Sequence, residues 1–191
     1  MKKVDDKKPE ASPTTVEERI KTKLYENRVI FFSTEIDEKN SLEFVKTLHS
    51  MYYENASPIN IKLTTHGGYF THSSRMVASI EEVKKKAQIN CECAGTVASG
   101  GIDILLPCSR RLSHPTTTFL IHHHHGGDYG RYDQKVDMRK EDDLVAEMRV
   151  KHLAKYSNLS YEEAWDKMDR KEWFLTPEEM LSYEMIDEVL S

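Results

Sequence analysis

The chain has 191 residues, 38% of them hydrophobic and 31% charged, with a formal net charge of −5 and a pI near 6.0. That length fits a single domain with a sizeable core, and the acidic balance offers no footprint for nucleic acid. No apolar run reaches the roughly 18 residues of a membrane span, and three cysteines in a chain without a leader-like start argue against structural disulfides.

In chain order, MKKVDDKKPEASPTT (1–15) lacks the apolar core of a signal peptide and reads as a disordered polar tail, which points to a cytoplasmic protein. A single domain is expected over 16–191. VEERIKTKLYENR, from residue 16, predicts a short helix, and RVIFFS (28–33) a buried strand. Leu42, Val45, Leu48 and Met51 or Tyr52 recur at helical spacing and predict a helix over 39–55. INIKLTT (59–65) alternates Ile59, Ile61 and Leu63 as a half-buried strand does, and ends in His66-Gly67-Gly68. Met76, Val77, Ile80 and Val83 mark another helix, closed by lysines 84–86 that read as a solvated helix end. QINCECA (88–94) is a strand placing Cys91 and Cys93 on one face, where they pack as small hydrophobes. TTFLIH (117–122) is a further strand. The charged stretch 132–156 predicts a mostly exposed helix with apolar positions at Val136, Leu144, Val145, Met148 and Leu153. Helices over 160–170 and 177–183 and a terminal IDEVL segment complete an α/β pattern without repeats or linkers.

Ligands gather at strand ends in open α/β sheets, and three predicted strands end in unusual residues. In CAGTVASGGIDILL (93–106), Ser99 stands where a strand turns into an apolar helix. One reading is an N-cap, its hydroxyl accepting from the free amides of a helix start. The other is a nucleophile, followed by glycine amides suited to an oxyanion, with Gly68 as a further backbone donor. The nucleophile-elbow pattern G-x-S-x-G is absent, since Val97 stands two residues before Ser99, and this disfavours an α/β-hydrolase. The four histidines 122–125 invite a metal, but successive strand residues point to opposite faces. With no H-E-x-x-H or Cys-pair spacing behind them, no metal is expected.

RVIFF, INIKLTTHGG, CAGTVASGG, TTFLIHHHHGG and WFLTPEEMLSYEMID, in that order, resemble the ClpP peptidase family, the proteolytic subunits of the Clp protease, over roughly residues 24–190. The family shows SPGG, GQAASMG and MIHQPLGG at nearly these separations. The resemblance implies a ClpP/crotonase-type α/β fold of stacked βα units with a protruding strand–helix handle. It implies Ser99 as nucleophile, His122 as general base, Gly68 and Gly100 as oxyanion donors, and substrate added as a strand beside Gly126, Gly127 and Gly130. It further implies a serine endopeptidase without a cofactor of its own. Its subunits would stack as heptameric rings into a tetradecamer, fed by an ATP-driven AAA+ Clp-type unfoldase.

The third triad position departs from the family. Counting back from residues 173–179, the usual Asp falls on Glu172, with Asp169 one helical turn earlier as the alternative. The extra methylene displaces the carboxylate by about an ångström, enough to cost about a hundredfold unless the backbone compensates. If Glu172 is only a surface charge, the triad is broken. Gly100 replaces a Met, His66 replaces the Pro of SPGG, and a polar tail replaces the apolar axial segment, which weakens the expectation of ATPase-controlled gating. Two other readings therefore stand: a catalytically weak or inactive ring subunit, and a crotonase-like acyl-CoA enzyme.

Overall fold

The structure, a computed structural model, describes residues 15–123, 131–169 and 172–191. Its elements begin with α1 (Val16–Glu26), β1 (Val29–Phe32), α2 (Glu38–Glu54), β2 (Ile59–Thr65), α3 (Phe70–Val83), β3 (Ile89–Ala98) and α4 (Gly100–Leu105). They continue with β4 (Arg110–Ser113), β5 (Thr118–Ile121), α5 (Tyr132–Lys155), α6 (Tyr161–Met168), β6 (Trp173–Leu175), α7 (Pro177–Ser182) and β7 (Glu188–Val189). Most of the expected tail lies outside the described residues. Thr15 does not belong to it: its hydroxyl accepts from the Glu18 amide (3.1 Å) while Glu18 accepts from the Thr15 amide (2.7 Å). Such a reciprocal cap contributes about 1 kcal/mol and fixes where α1 begins.

The parallel strands follow the order β1-β2-β3-β4-β7, and β3 forks the sheet. Its residues 90–93 pair with β4, whereas residues 96–98 pair with β5. The fork follows a register shift between β2 and β3, from Leu63↔Cys93 to Thr65↔Val97. β6 then joins β5 antiparallel, with Ile121 opposite Trp173.

Alternation in β2 is strict. Ile59, Ile61, Leu63 and Thr65 are buried, and the first three join Leu48, Met51, Met76, Ile80 and Ile104 in one core cluster. Each such side chain contributes about 1.5–3 kcal/mol on burial. The opposite face stays polar, with the Lys62–Glu92 ion pair and an Asn90–Asn60 hydrogen bond of 2.9 Å. Cys91, Cys93 and Cys108 are free and buried, the first two facing inward as expected. Among the described residues no helix is long and apolar enough to cross a membrane.

Two details differ from the sequence reading. Lys84 is not simply solvated: its ammonium donates to Pro107 O (2.7 Å) and lies 5.0 Å from the centre of the Tyr156 ring. The strand β4 was not expected from RRLS, because it is anchored by charge rather than apolar alternation. Arg111 donates to Asp187 from its amide (2.7 Å), Nε (3.2 Å) and Nη2 (2.6 Å), fixing β7 beside β4. The helix of the expected handle is α5, exposed along most of its length but with Arg149, Val150 and Leu153 buried. The handle's strand falls outside the described residues.

Candidate active site

Three adjacent strand ends converge on one edge of the sheet. β3 runs out before Ser99, β5 before His122, and antiparallel β6 begins just after Glu172. The turn after β2 supplies Gly67 and Gly68 to the same edge.

Ser99 has φ 54 and ψ −121, a region that L-residues avoid. Its amide donates to Leu120 O (2.8 Å) and its carbonyl accepts from the Ile102 amide (3.0 Å). Gly67, at φ 97, closes against it: a Cβ there would lie 2.7 Å from the Ser99 Cβ and 2.8 Å from Ala98 O. Strain of this kind costs about 1–3 kcal/mol and persists only where the surroundings enforce it. The capping reading fails here, because the Ser99 side chain makes no cap hydrogen bond. Capping needs extended backbone, which Asp37, Ser160 and Thr176 have and Ser99 lacks.

Gly68 is required for a different reason, since a Cβ there would meet Ile36 O at 2.2 Å. The bridge between them uses the Ile36 amide, donating to Gly67 O (2.8 Å), and the Tyr69 amide, donating to Ile36 O (3.1 Å). The Gly68 amide stands outside that ladder. Gly68, Ser99, Gly100 and His122 share the wall of one cleft of about 660 Å³ with Asp103 and Arg149. The expected nucleophile, base and oxyanion donors are thus brought together. No hydrogen bond joins Ser99 Oγ to His122 among the described contacts; such bonds often tighten only when substrate binds.

His123 packs edge-on against Trp165, with centroids 5.6 Å apart, while His122 faces the cleft. His124, His125, Gly126, Gly127 and Gly130 lie outside the described residues. Glu172 is exposed and is not part of the cleft wall. One step beyond the Ile121–Trp173 pair, however, the antiparallel register carries it opposite His122. Asp169 instead closes α6, its amide donating to Trp165 O (2.8 Å), and it too lies off the cleft wall.

Sequence reasoning missed the pair Asp103 and Arg149, whose side chains are 10% and 3% exposed. Arg149 Nε and Nη2 reach the Asp103 carboxylate at 3.2 and 3.3 Å, and Nη1 donates to the His122 carbonyl at 2.6 Å. His152 Nε2 donates to the Asp103 carbonyl (2.9 Å), which fixes that proton on Nε2 because a carbonyl can only accept. The signal was present: Asp103 is the lone acid in GGIDILL, and a buried acid needs a partner. No cysteine competes as nucleophile at this edge. The Cys91 thiol beside it, and then burial, push Cys108 well above the ordinary thiol range.

The Clp protease family profile matches residues 13–191 of the chain. The ATP-dependent Clp protease proteolytic subunit 1 of Tropheryma whipplei is 29% identical over 175 residues, covering 88% of this chain and 83% of that protein. The ATP-dependent Clp protease proteolytic subunit 3 of a Synechococcus strain is 27% identical over 176 residues, covering 90% and 86%. Among solved structures, a point mutant of ClpP1 from Listeria monocytogenes superimposes with a TM-score of 0.81 at 24% identity, over 90% of this chain and 96% of that one.

Proposed function

The chain belongs to the Clp protease family, and from that premise we propose that it is a serine endopeptidase subunit acting through Ser99 and His122. The observation that carries this reading is the Ser99 turn: a strained serine, free of capping, in one cleft with His122, Gly68 and Gly100. His122 takes the Ser99 proton as Oγ attacks the peptide carbonyl, and the Gly68 and Gly100 amides hold the tetrahedral oxyanion. The C–N bond then breaks as His122 returns the proton to the leaving amine. Water, deprotonated by the same imidazole, attacks the acyl-enzyme and releases Ser99.

Glu172 is the orienter of His122 in this scheme. The β5–β6 register, carried one step past Ile121–Trp173, favours it over Asp169, since residues opposed on paired strands bring their Cβ atoms within about 4.5–5.5 Å. Substrate adds as a strand beside the segment after His122, which includes Gly126, Gly127 and Gly130. The subunits stack as heptameric rings in the cytoplasm, and a Clp-type AAA+ unfoldase delivers the substrate. The relatives' names, ATP-dependent Clp protease proteolytic subunits, support that partnership.

One observation favours a second reading, an inactive ring member: Glu172 is exposed and off the cleft wall. Intact-mass spectrometry after incubation with a fluorophosphonate decides between them. A single adduct on the parent chain, lost in Ser99→Ala, is the outcome expected of a working pair. No adduct on folded, ring-assembled protein would leave the inactive subunit as the reading.

A further inference from the structure

We infer that Arg149 is a positioning residue for His122, acting through the backbone rather than through the imidazole; the catalytic consequence rests on the assignment of Ser99 and His122 above. Asp103 lies in the helix that Ser99 begins, four residues after the serine. Arg149 holds that carboxylate with Nε and Nη2 and the His122 carbonyl with Nη1 at 2.6 Å. One guanidinium therefore ties the helix that starts at Ser99 to the strand exit that carries His122. The separation of the two strand ends is set by a planar fork whose geometry is fixed by its own bonds.

Stability alone does not account for the pair. Buried ion pairs are often replaced by packed apolar residues at no cost in stability. What an apolar pair does not supply is a donor for the His122 carbonyl. Lysine does not supply it either without abandoning the carboxylate, because its single nitrogen has no fork to reach both acceptors.

The test compares the parent chain with Arg149→Lys and with the double variant Asp103→Leu/Arg149→Met, each confirmed as folded and assembled like the parent. The first readout is the fluorophosphonate reaction at Ser99, resolved into a saturation constant and a limiting rate. The second is hydrogen exchange at the imidazole C2 position of each histidine, followed by mass spectrometry, which needs no catalysis. We expect the limiting rate to fall about 10- to 100-fold in both variants with the saturation constant unchanged. The exchange half-time of His122 should change severalfold while that of His49, on α2, stays fixed. A double variant as thermostable as the parent that still shows both effects separates positioning from packing. Parent-like acylation together with parent-like His122 exchange in the double variant overturns the inference. If the parent itself does not react, the peptidase reading fails. The exchange of His122 in the variants then still decides whether Arg149 positions that residue.

Discussion

The two sides of the cleft are built on different principles. On the side of Ser99, the proposed nucleophile, placement is a property of the backbone: Ser99 is locked by bonds from its own amide and carbonyl and by contact with Gly67, and Gly68 is pressed against Ile36 O. On the side of His122, the proposed base, placement depends on side chains. His122 leaves β5 and is held by a guanidinium from α5, and its proposed orienter stands exposed at the start of a three-residue strand. Damage to the first side should therefore cost fold and chemistry together, whereas damage to the second should cost chemistry alone.

The largest effect is expected at His122. His122→Ala should slow fluorophosphonate acylation by on the order of 10^4-fold while the unfolding temperature moves by no more than about 2 °C. A large fall in Tm would erase the contrast between the sides. Next comes Gly67→Ala, which forces a methyl to within 2.7 Å of the Ser99 Cβ at φ 97. Labelling should drop about 100-fold, and destabilisation of about 2 kcal/mol should lower Tm by roughly 4–8 °C. Retained stability with lost labelling would show that the turn is held less tightly than its contacts imply. Glu172→Gln should slow acylation by about tenfold with Tm unchanged, against less than twofold for Asp169→Asn; the reverse order would reassign the orienter.

The smallest effect belongs to neither side. Burial pushes the Asp187 carboxyl up, but hydrogen bonds from the Arg111 side chain and amide, with the charges of Arg111 and Arg110, hold it below the ordinary aspartate value. Stability from a depressed carboxyl is complete above its unfolded pKa of about 3.9 and disappears as pH falls through the lower folded value. Asp187→Asn should therefore lower Tm by a few degrees at pH 7, converge on the parent in strong acid, and leave labelling untouched. Calorimetry across pH checks this, and a constant gap at every pH would assign the loss to packing instead.

Most of the framework was legible because its signals are periodic. The alternation of β2, the helical spacing of α2 and the glycine turns each state their structure locally, although Leu42, read onto the apolar face of α2, is exposed and Phe44 takes its place in the core. What escaped was non-local. RRLS shows no strand pattern because its partners, Glu188 and Asp187, lie 78 and 76 residues away. Arg149 hid in the dense charge of α5, although it falls on the line of Val145 and Leu153, four residues from each. The role of Ser99 was legible as two alternatives only, since a cap and a nucleophile call for the same residue at the same junction. A torsion angle, which no residue pattern encodes, removes the cap and leaves the nucleophile as the reading proposed above.

The convergence of β3, β5 and β6 on one edge has an evolutionary corollary. The strands that carry the candidate groups stand about 4.8 Å apart, and their pairing, though not the placement of His122 itself, is maintained by main-chain bonds indifferent to the side chains they carry. Under the proposed function, single substitutions at those strand ends are expected to separate a working peptidase from a silent subunit.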